Sequence, residues 1–204
     1  MKILGAEEFY KPYVFNKSKA NTVIFIHGLF GRSGFWLPFL SFFDNYKIVI
    51  LDINYSQIFK YGPYRINLEL DHGLLLKEND EYIVISHSIG TVIAQFFPHG
   101  KIKGSYEICP VYDANRINNE GFVSEIQSRI GLPESEISKT LLNSEIFIES
   151  SILFFNTLMN KIQYVPSKDD YFEYNKNGKR IKKFDGNHFD ILNSISMINK
   201  HLKE

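Results

Sequence analysis

Ser86-His87-Ser88-Ile89-Gly90 stands between an apolar run, Tyr82-Ile83-Val84-Ile85, and a helix-like run, Thr91-Val92-Ile93-Ala94-Gln95-Phe96. A strand, a tight turn and a helix with serine at the apex form a small-x-Ser-x-small elbow. This is the G-x-S-x-G pattern with Ser86 in the first small position. Small flanking residues are needed because the turn is strained and the two backbones pass closely. A hydroxyl on such a turn projects above the sheet, with backbone N–H groups and a positive helix end behind it to steady an oxyanion. Ser88 is therefore a candidate nucleophile. A serine hydroxyl is weak in that role, so the chemistry also needs a base to take its proton and an acid to orient the base.

Two further segments supply these parts. Val23-Ile24-Phe25-Ile26 reads as a buried strand and runs into His27-Gly28-Leu29-Phe30-Gly31. Glycines at a strand end let the backbone turn and bring a main-chain N–H close to a reacting group. The Leu29 N–H is the candidate for one oxyanion donor and the Ile89 N–H for the other. Taken alone, the segment is an ordinary strand-to-helix turn. Gly186-Asn187-His188-Phe189-Asp190 follows a short strand, Ile181-Lys182-Lys183-Phe184, and precedes an amphipathic helix. A lone histidine in such a place is usually a cap neighbour, but here it follows the serine in the order Ser…Asp/Glu…His. Between them, the strand Lys161-Ile162-Gln163-Tyr164-Val165 ends in Pro166-Ser167-Lys168-Asp169-Asp170, with two carboxylates at its end.

On these residues the chain resembles an α/β-hydrolase of the serine esterase and thioesterase type with a small cap, and the resemblance spans nearly its whole length. It implies a mostly parallel sheet covered by helices on both faces, a Ser-His-Asp triad and an acyl-enzyme intermediate, with no metal and no organic cofactor. The acid is open among three residues. Asp170 follows the family spacing if Ser167 replaces the usual glycine, and Asp169 follows it if Phe172 is the marker. Asp113 lies where some family members place the acid. The order of preference is Asp170, Asp169, Asp113. The family's frequent Asp-x-x-Gly-x-Gly is replaced by Asp52-Ile53-Asn54-Tyr55-Ser56, a departure in a structural loop. His27 and His87 belong to their turns, His87 making a structural hydrogen bond, and His72, His99 and His201 lie in unremarkable helical or loop contexts.

The elements that must position these residues follow from the hydrophobic pattern. Strand-like runs fall near 22–27, 46–52, 82–87, 104–109, 161–166 and 180–184, with helical patterns near 33–44, 64–78, 89–97 and 190–203. Residues 3–15 add an edge hairpin. Such alternation predicts one α/β domain over 1–204. It is interrupted once, between Val111 and Asn160, by two helical patterns broken at Gly131-Leu132-Pro133. By the resemblance, residues 111–160 are an inserted helical cap. Its second helix carries more apolar surface than a core-facing stripe needs, so part of that surface is expected to line an acyl pocket. Phe30, Phe147, Phe154 and Phe155 are the pocket candidates. The last helix presents Ile191, Leu192, Ile195, Ile198 and Leu202 on one face.

The 204 residues carry 23 Lys+Arg against 23 Asp+Glu, so no global field favours nucleic acid or an anionic membrane. The single cysteine, Cys109, excludes an internal disulfide and reads as a buried inert thiol. No apolar run is long enough for a membrane span and none resembles a signal peptide, so the expected location is cytoplasmic. One local excess of positive charge, Lys176 to Lys183, includes Lys179, Arg180 and Lys182. It reads as a solvated hairpin around Asn177-Gly178, or as a dock for an acyl carrier protein. The second reading would make the protein similar to the carrier-linked methyl-ester esterases of biotin synthesis or to an acyl thioesterase. The expected substrate is a carboxylic ester or thioester. Rivals are a cofactor-free haloperoxidase-like or lyase-like enzyme and a noncatalytic binding protein.

Overall fold

Apolar runs that are buried on both faces form the centre of a parallel sheet, and three such runs lie side by side here. The computed structural model describes residues 10–29, 31–55, 81–95, 101–111, 161–169, 171–172, 174 and 180–204. The strands are β1 Tyr10–Phe15, β2 Thr22–Ile26, β3 Lys47–Ile53, β4 Tyr82–His87, β5 Ile102–Ile108, β6 Lys161–Pro166 and β7 Ile181–Phe184. They form one sheet in the order β1-β3-β2-β4-β5-β6-β7. All neighbours pair in parallel except β1, which lies antiparallel on β3 with Tyr10 opposite Ile53. The described part of the expected edge hairpin is thus a single edge strand.

The sheet faces divide by alternation. Val23 and Phe25, Ile48 and Ile50, Ile83 and Ile85, and Tyr106 and Ile108 share one buried core. Covering them are Ser33–Phe43, through Trp36 and Phe43, and the last helix, through Ile191, Ile195 and Ile198. The Phe25 ring packs 4.9 Å from Trp36 and 5.1 Å from Phe43, within aromatic contact range. On the other face lies the short helix α1, Gly90–Ala94, all of it buried.

The helical pattern near 33–44 is a 3₁₀ helix, Ser33–Phe43, with Pro38 inside it. One local expectation is adjusted. The last helix, α2, spans Leu192–His201 and buries Ile195 and Ile198 fully, but Leu192 is 50% exposed. Leu192 lies about 100° around the helix from the buried Ile191 and so falls off the stripe of Ile191, Ile195 and Ile198. The proposed cap at 111–160 lies, apart from Val111, outside the described residues, as do the helical patterns at 64–78 and the end of 89–97. Among the described residues no helix is long and apolar enough to cross a membrane.

Candidate active site

In an open parallel sheet the crevice lies at the carboxyl ends of the strands, and three chain segments converge there. Ser88 follows β4, Asp169 follows β6 and His188 follows β7.

Ser88 adopts φ 52°, the left-handed region that a residue with a Cβ enters at a cost of about 1–2 kcal/mol. Hydrogen bonds on both sides hold it there. Its amide donates to the Ile108 carbonyl at 2.9 Å, and its carbonyl accepts from Thr91 N at 3.0 Å and Thr91 Oγ1 at 2.6 Å. The elbow also depends on glycine. A Cβ on Gly90 would lie 2.5 Å from the His27 carbonyl oxygen and 2.8 Å from that of Ile26, so β2 and α1 pass too closely for any side chain. A Cβ on Gly28 would lie 2.9 Å from the Ser88 Cβ, which brings the peptide leading to Leu29 directly against the serine. Ile89 is the residue after the serine and caps α1 with αR backbone. The two expected oxyanion donors belong to separate segments, Leu29 after β2 and Ile89 after Ser88.

His188 sits in a turn ordered by Asn187, whose Oδ1 accepts the amides of Phe189 and Asp190, each at 2.9 Å. The strand extensions beyond β6 and β7 stay paired: Ser167 N donates to Phe184 O at 2.9 Å and Lys168 N to Gly186 O at 3.2 Å. That pairing brings the loops of Asp169 and His188 together. His188 Nε2 lies 2.9 Å from Ser88 Oγ, and His188 Nδ1 lies 2.8 Å from Asp169 Oδ2. Asp169, second in the sequence ranking, is thus the carboxylate that meets the imidazole. Asp170 and Asp113 lie outside the described residues. Burial by itself would raise the Asp169 carboxyl, but the His188 contact and the donors Tyr171 N and Tyr174 Oη hold it below the ordinary value.

His87 serves this geometry from beneath. Its Nε2 meets the His188 carbonyl at 2.7 Å, and its ring stacks on Phe35 at 5.0 Å. Full burial, then the neighbouring His188, lower its pKa to about 3, so the ring is neutral and Nε2–H donates. A stability prediction follows. Unfolded, this ring takes up a proton near pH 6.5, while folded it does so only near pH 3. The unfolded state therefore binds the extra proton in that window, and stability present above pH 6.5 is lost as pH falls, by up to about 1.4 kcal/mol per pH unit. Urea unfolding between pH 6.5 and 4.5 should show a shallower pH slope in His87→Gln than in the wild type; equal slopes would mean that His87 is solvated.

His27 is likewise structural. Its Nδ1 bonds its own turn at Gly28 O, 2.6 Å, and its Nε2 accepts from Ile53 N at 2.9 Å. Burial lowers its pKa, opposed by the Gly28 carbonyl and by Asp52. Asp52 meanwhile accepts from Ser33 N at 3.1 Å, tying the glycine loop to β3.

Aromatic rings frame the imidazole. Phe189, Phe172 and Tyr171 lie 5.1, 5.2 and 5.5 Å from His188, centre to centre, and Phe189 is 45% exposed. Sequence reasoning missed all three as site residues, although Tyr171 and Phe172 directly follow the candidate acids. The pocket candidates it did name, Phe30, Phe147, Phe154 and Phe155, lie outside the described residues. Cys109, Asp169 and His188 place potential ligand atoms within 4.8 Å of one another. The carboxylate and imidazole in that group are hydrogen-bonded to each other, and burial pushes the Cys109 thiol up, so it keeps its proton. The donor set is arranged as a hydrogen-bonded relay.

By sequence, no protein-family model and no curated protein matches the chain. Solved structures do match it in shape. A lipase-esterase related protein from Clostridium acetobutylicum aligns at 14% identity and TM-score 0.57, over 96% of this chain and 98% of that one. A hydrolase from Oleispira antarctica aligns at 10% identity and TM-score 0.63, over 98% and 96%. The thioesterase domain from the curacin biosynthetic pathway aligns at 10% identity and TM-score 0.59, over 96% and 95%. Together with the strand order and the serine elbow, these likenesses show that the chain has the α/β-hydrolase fold.

Proposed function

We propose that the protein is a serine hydrolase that cleaves a carboxylic ester or thioester through Ser88, His188 and Asp169. The observation that carries this reading is the unbroken line from Ser88 Oγ to His188 Nε2, 2.9 Å, and from His188 Nδ1 to Asp169 Oδ2, 2.8 Å. Ser88 Oγ attacks the acyl carbon as His188 Nε2 takes its proton, and Asp169 stabilises the imidazolium. The carbonyl oxygen becomes an oxyanion facing the Leu29 and Ile89 N–H groups, each such donor being worth about 2.7–4 kcal/mol. Collapse breaks the bond to the alkoxide or thiolate, which leaves with the proton from His188. Water, deprotonated by the same nitrogen, then attacks the acyl enzyme and frees Ser88. Neighbours named as a lipase-esterase relative, a hydrolase and a thioesterase domain support this class. A binding protein would have no use for a buried proton relay, which disfavours the noncatalytic alternative.

The carrier-linked version of this reading draws on the basic segment. Arg180 and Lys182 line a groove of about 460 Å³ with Lys103, Lys161, His201 and Tyr106. The groove lies where β5, β6 and β7 begin, at the sheet edge opposite Ser88. A carrier held there would have to extend its acyl arm along the sheet to reach the serine.

A fluorophosphonate probe should label the wild-type protein and leave Ser88→Ala unlabelled. Esters and thioesters of graded acyl length should then show catalytic efficiency peaking at medium-chain or aryl acyl groups. The expectation follows from the rings around His188 and from about 0.8 kcal/mol gained per buried methylene. A carrier-bound ester favoured over the free ester only at low salt would support the dock. An unlabelled wild-type protein that turns over nothing in the panel sinks the hydrolase reading.

A further inference from the structure

We propose that Tyr174 is a positioning residue that tunes the base by competing with His188 for one oxygen of Asp169. The inference rests on Ser88, His188 and Asp169 acting as the catalytic unit. Asp169 accepts four hydrogen bonds. Its Oδ1 takes the amides of Tyr171 at 2.8 Å and Phe172 at 3.0 Å, the local turn that an aspartate commonly makes with the residues following it. Its Oδ2 takes His188 Nδ1 and Tyr174 Oη, both at 2.8 Å. The tyrosine contact is not part of that turn. It brings a long side chain back from five residues away onto the oxygen that serves the histidine.

Both partners behind Asp169 keep their protons. Burial raises the Tyr174 hydroxyl far above its usual range, with Cys109 and Asp169 adding to the effect. Burial and then Asp169 raise the Cys109 thiol, whose Sγ donates to the His188 carbonyl at 3.8 Å. Cys109 is seated by its own backbone, with φ 51° and its amide donating to Tyr164 O at 2.9 Å. Tyr174 and His188 thus donate to the same atom, Asp169 Oδ2, while Cys109 reaches His188 only through its carbonyl.

Two donors on one oxygen weaken each other. When His188 gains the serine proton, its Nδ1–H demands more of Oδ2, and Tyr174 must give ground. Tyr174 thereby favours the neutral imidazole, the form that can accept the proton. The titratable groups facing His188 and Asp169 among the described residues are Ser88, His87, Tyr171, Tyr174 and Cys109. Burial keeps the His87 ring neutral and the Tyr174 hydroxyl and Cys109 thiol protonated, so the pair reports on the hydrogen bond.

In Tyr174→Phe the acid limb of the kcat/KM–pH profile should move to higher pH by about half a unit to one unit. On the plateau, kcat should fall less than about tenfold with KM unchanged. The His188 ring titration, followed by NMR in the free protein, should move up by the same amount. That second measurement needs no substrate, so it decides the role of Tyr174 even if the esterase panel fails. A limb and an NMR midpoint that stay put, or move down, would reduce Tyr174 to a packing residue.

Discussion

Asp169→Asn should lower ester turnover by about 10⁴-fold, and the reason lies in which carboxylate oxygen each donor uses. Tyr171 N and Phe172 N both donate to Oδ1, so the asparagine oxygen must occupy that place. Its amide nitrogen then takes the position of Oδ2 and donates to His188 Nδ1. The imidazole is forced to carry its proton on Nε2, facing Ser88, where it cannot act as a base. Ser88→Ala and His188→Ala should each cost about 10⁴- to 10⁶-fold, and the double variant should be little worse because the residues act as one unit. Asp170→Asn serves as the control and should stay near wild type. Loss on Asp170→Asn with Asp169→Asn intact would move the acid by one position. Stability should respond differently. Ser88 sits at φ 52°, so Ser88→Gly should be as inactive as Ser88→Ala but more stable than it by about 1 kcal/mol. Equal melting of the two would show that the elbow holds no strain.

The second large effect is on the fold behind the site. Glu107, on β5, is fully buried, and its carboxylate meets Lys161 Nζ at 2.7 Å, Gln95 Nε2 at 3.0 Å and Gln163 Nε2 at 3.3 Å. Gln95 also donates to Thr91 O at 2.9 Å, so the network ties the helix behind Ser88 to the strand that carries Asp169. Glu107→Leu would deprive the buried Lys161 ammonium of its carboxylate and should destabilise the protein by about 3–5 kcal/mol in urea unfolding. Changing Lys161→Met in the same chain should recover most of the loss, since a packed apolar pair often matches a buried ion pair. A single-variant cost below about 1 kcal/mol would mean that water reaches the network and screens it.

What could be read from the sequence is what local chemistry dictates. The strand Tyr82–His87, the serine behind it and the small residue at Gly90 announce the elbow because the backbone there can close only around small side chains. The apolar runs of β2, β3 and β4 announce a parallel sheet because strands buried on both faces need apolar residues at every position. His188 was legible from its order in the chain and its place after a strand. The carboxylate beside it was not: the turn through Tyr171 and Phe172, which holds Asp169 Oδ1, is what sets Asp169 Oδ2 on the imidazole. Tyr174 was illegible as a partner of the pair because only the path of the loop after β6 brings its hydroxyl back onto Asp169 Oδ2. The partners of Glu107 depend on the register that sets it opposite Gln163, which the sequence does not carry. Leu192 follows the fully buried Ile191, and one residue of helix turns it by about 100° off the face that Ile191, Ile195 and Ile198 share. Composition and spacing act along the chain and determine which elements form. Side-chain direction, strand register and loop closure act across it, and these the tertiary structure alone decided.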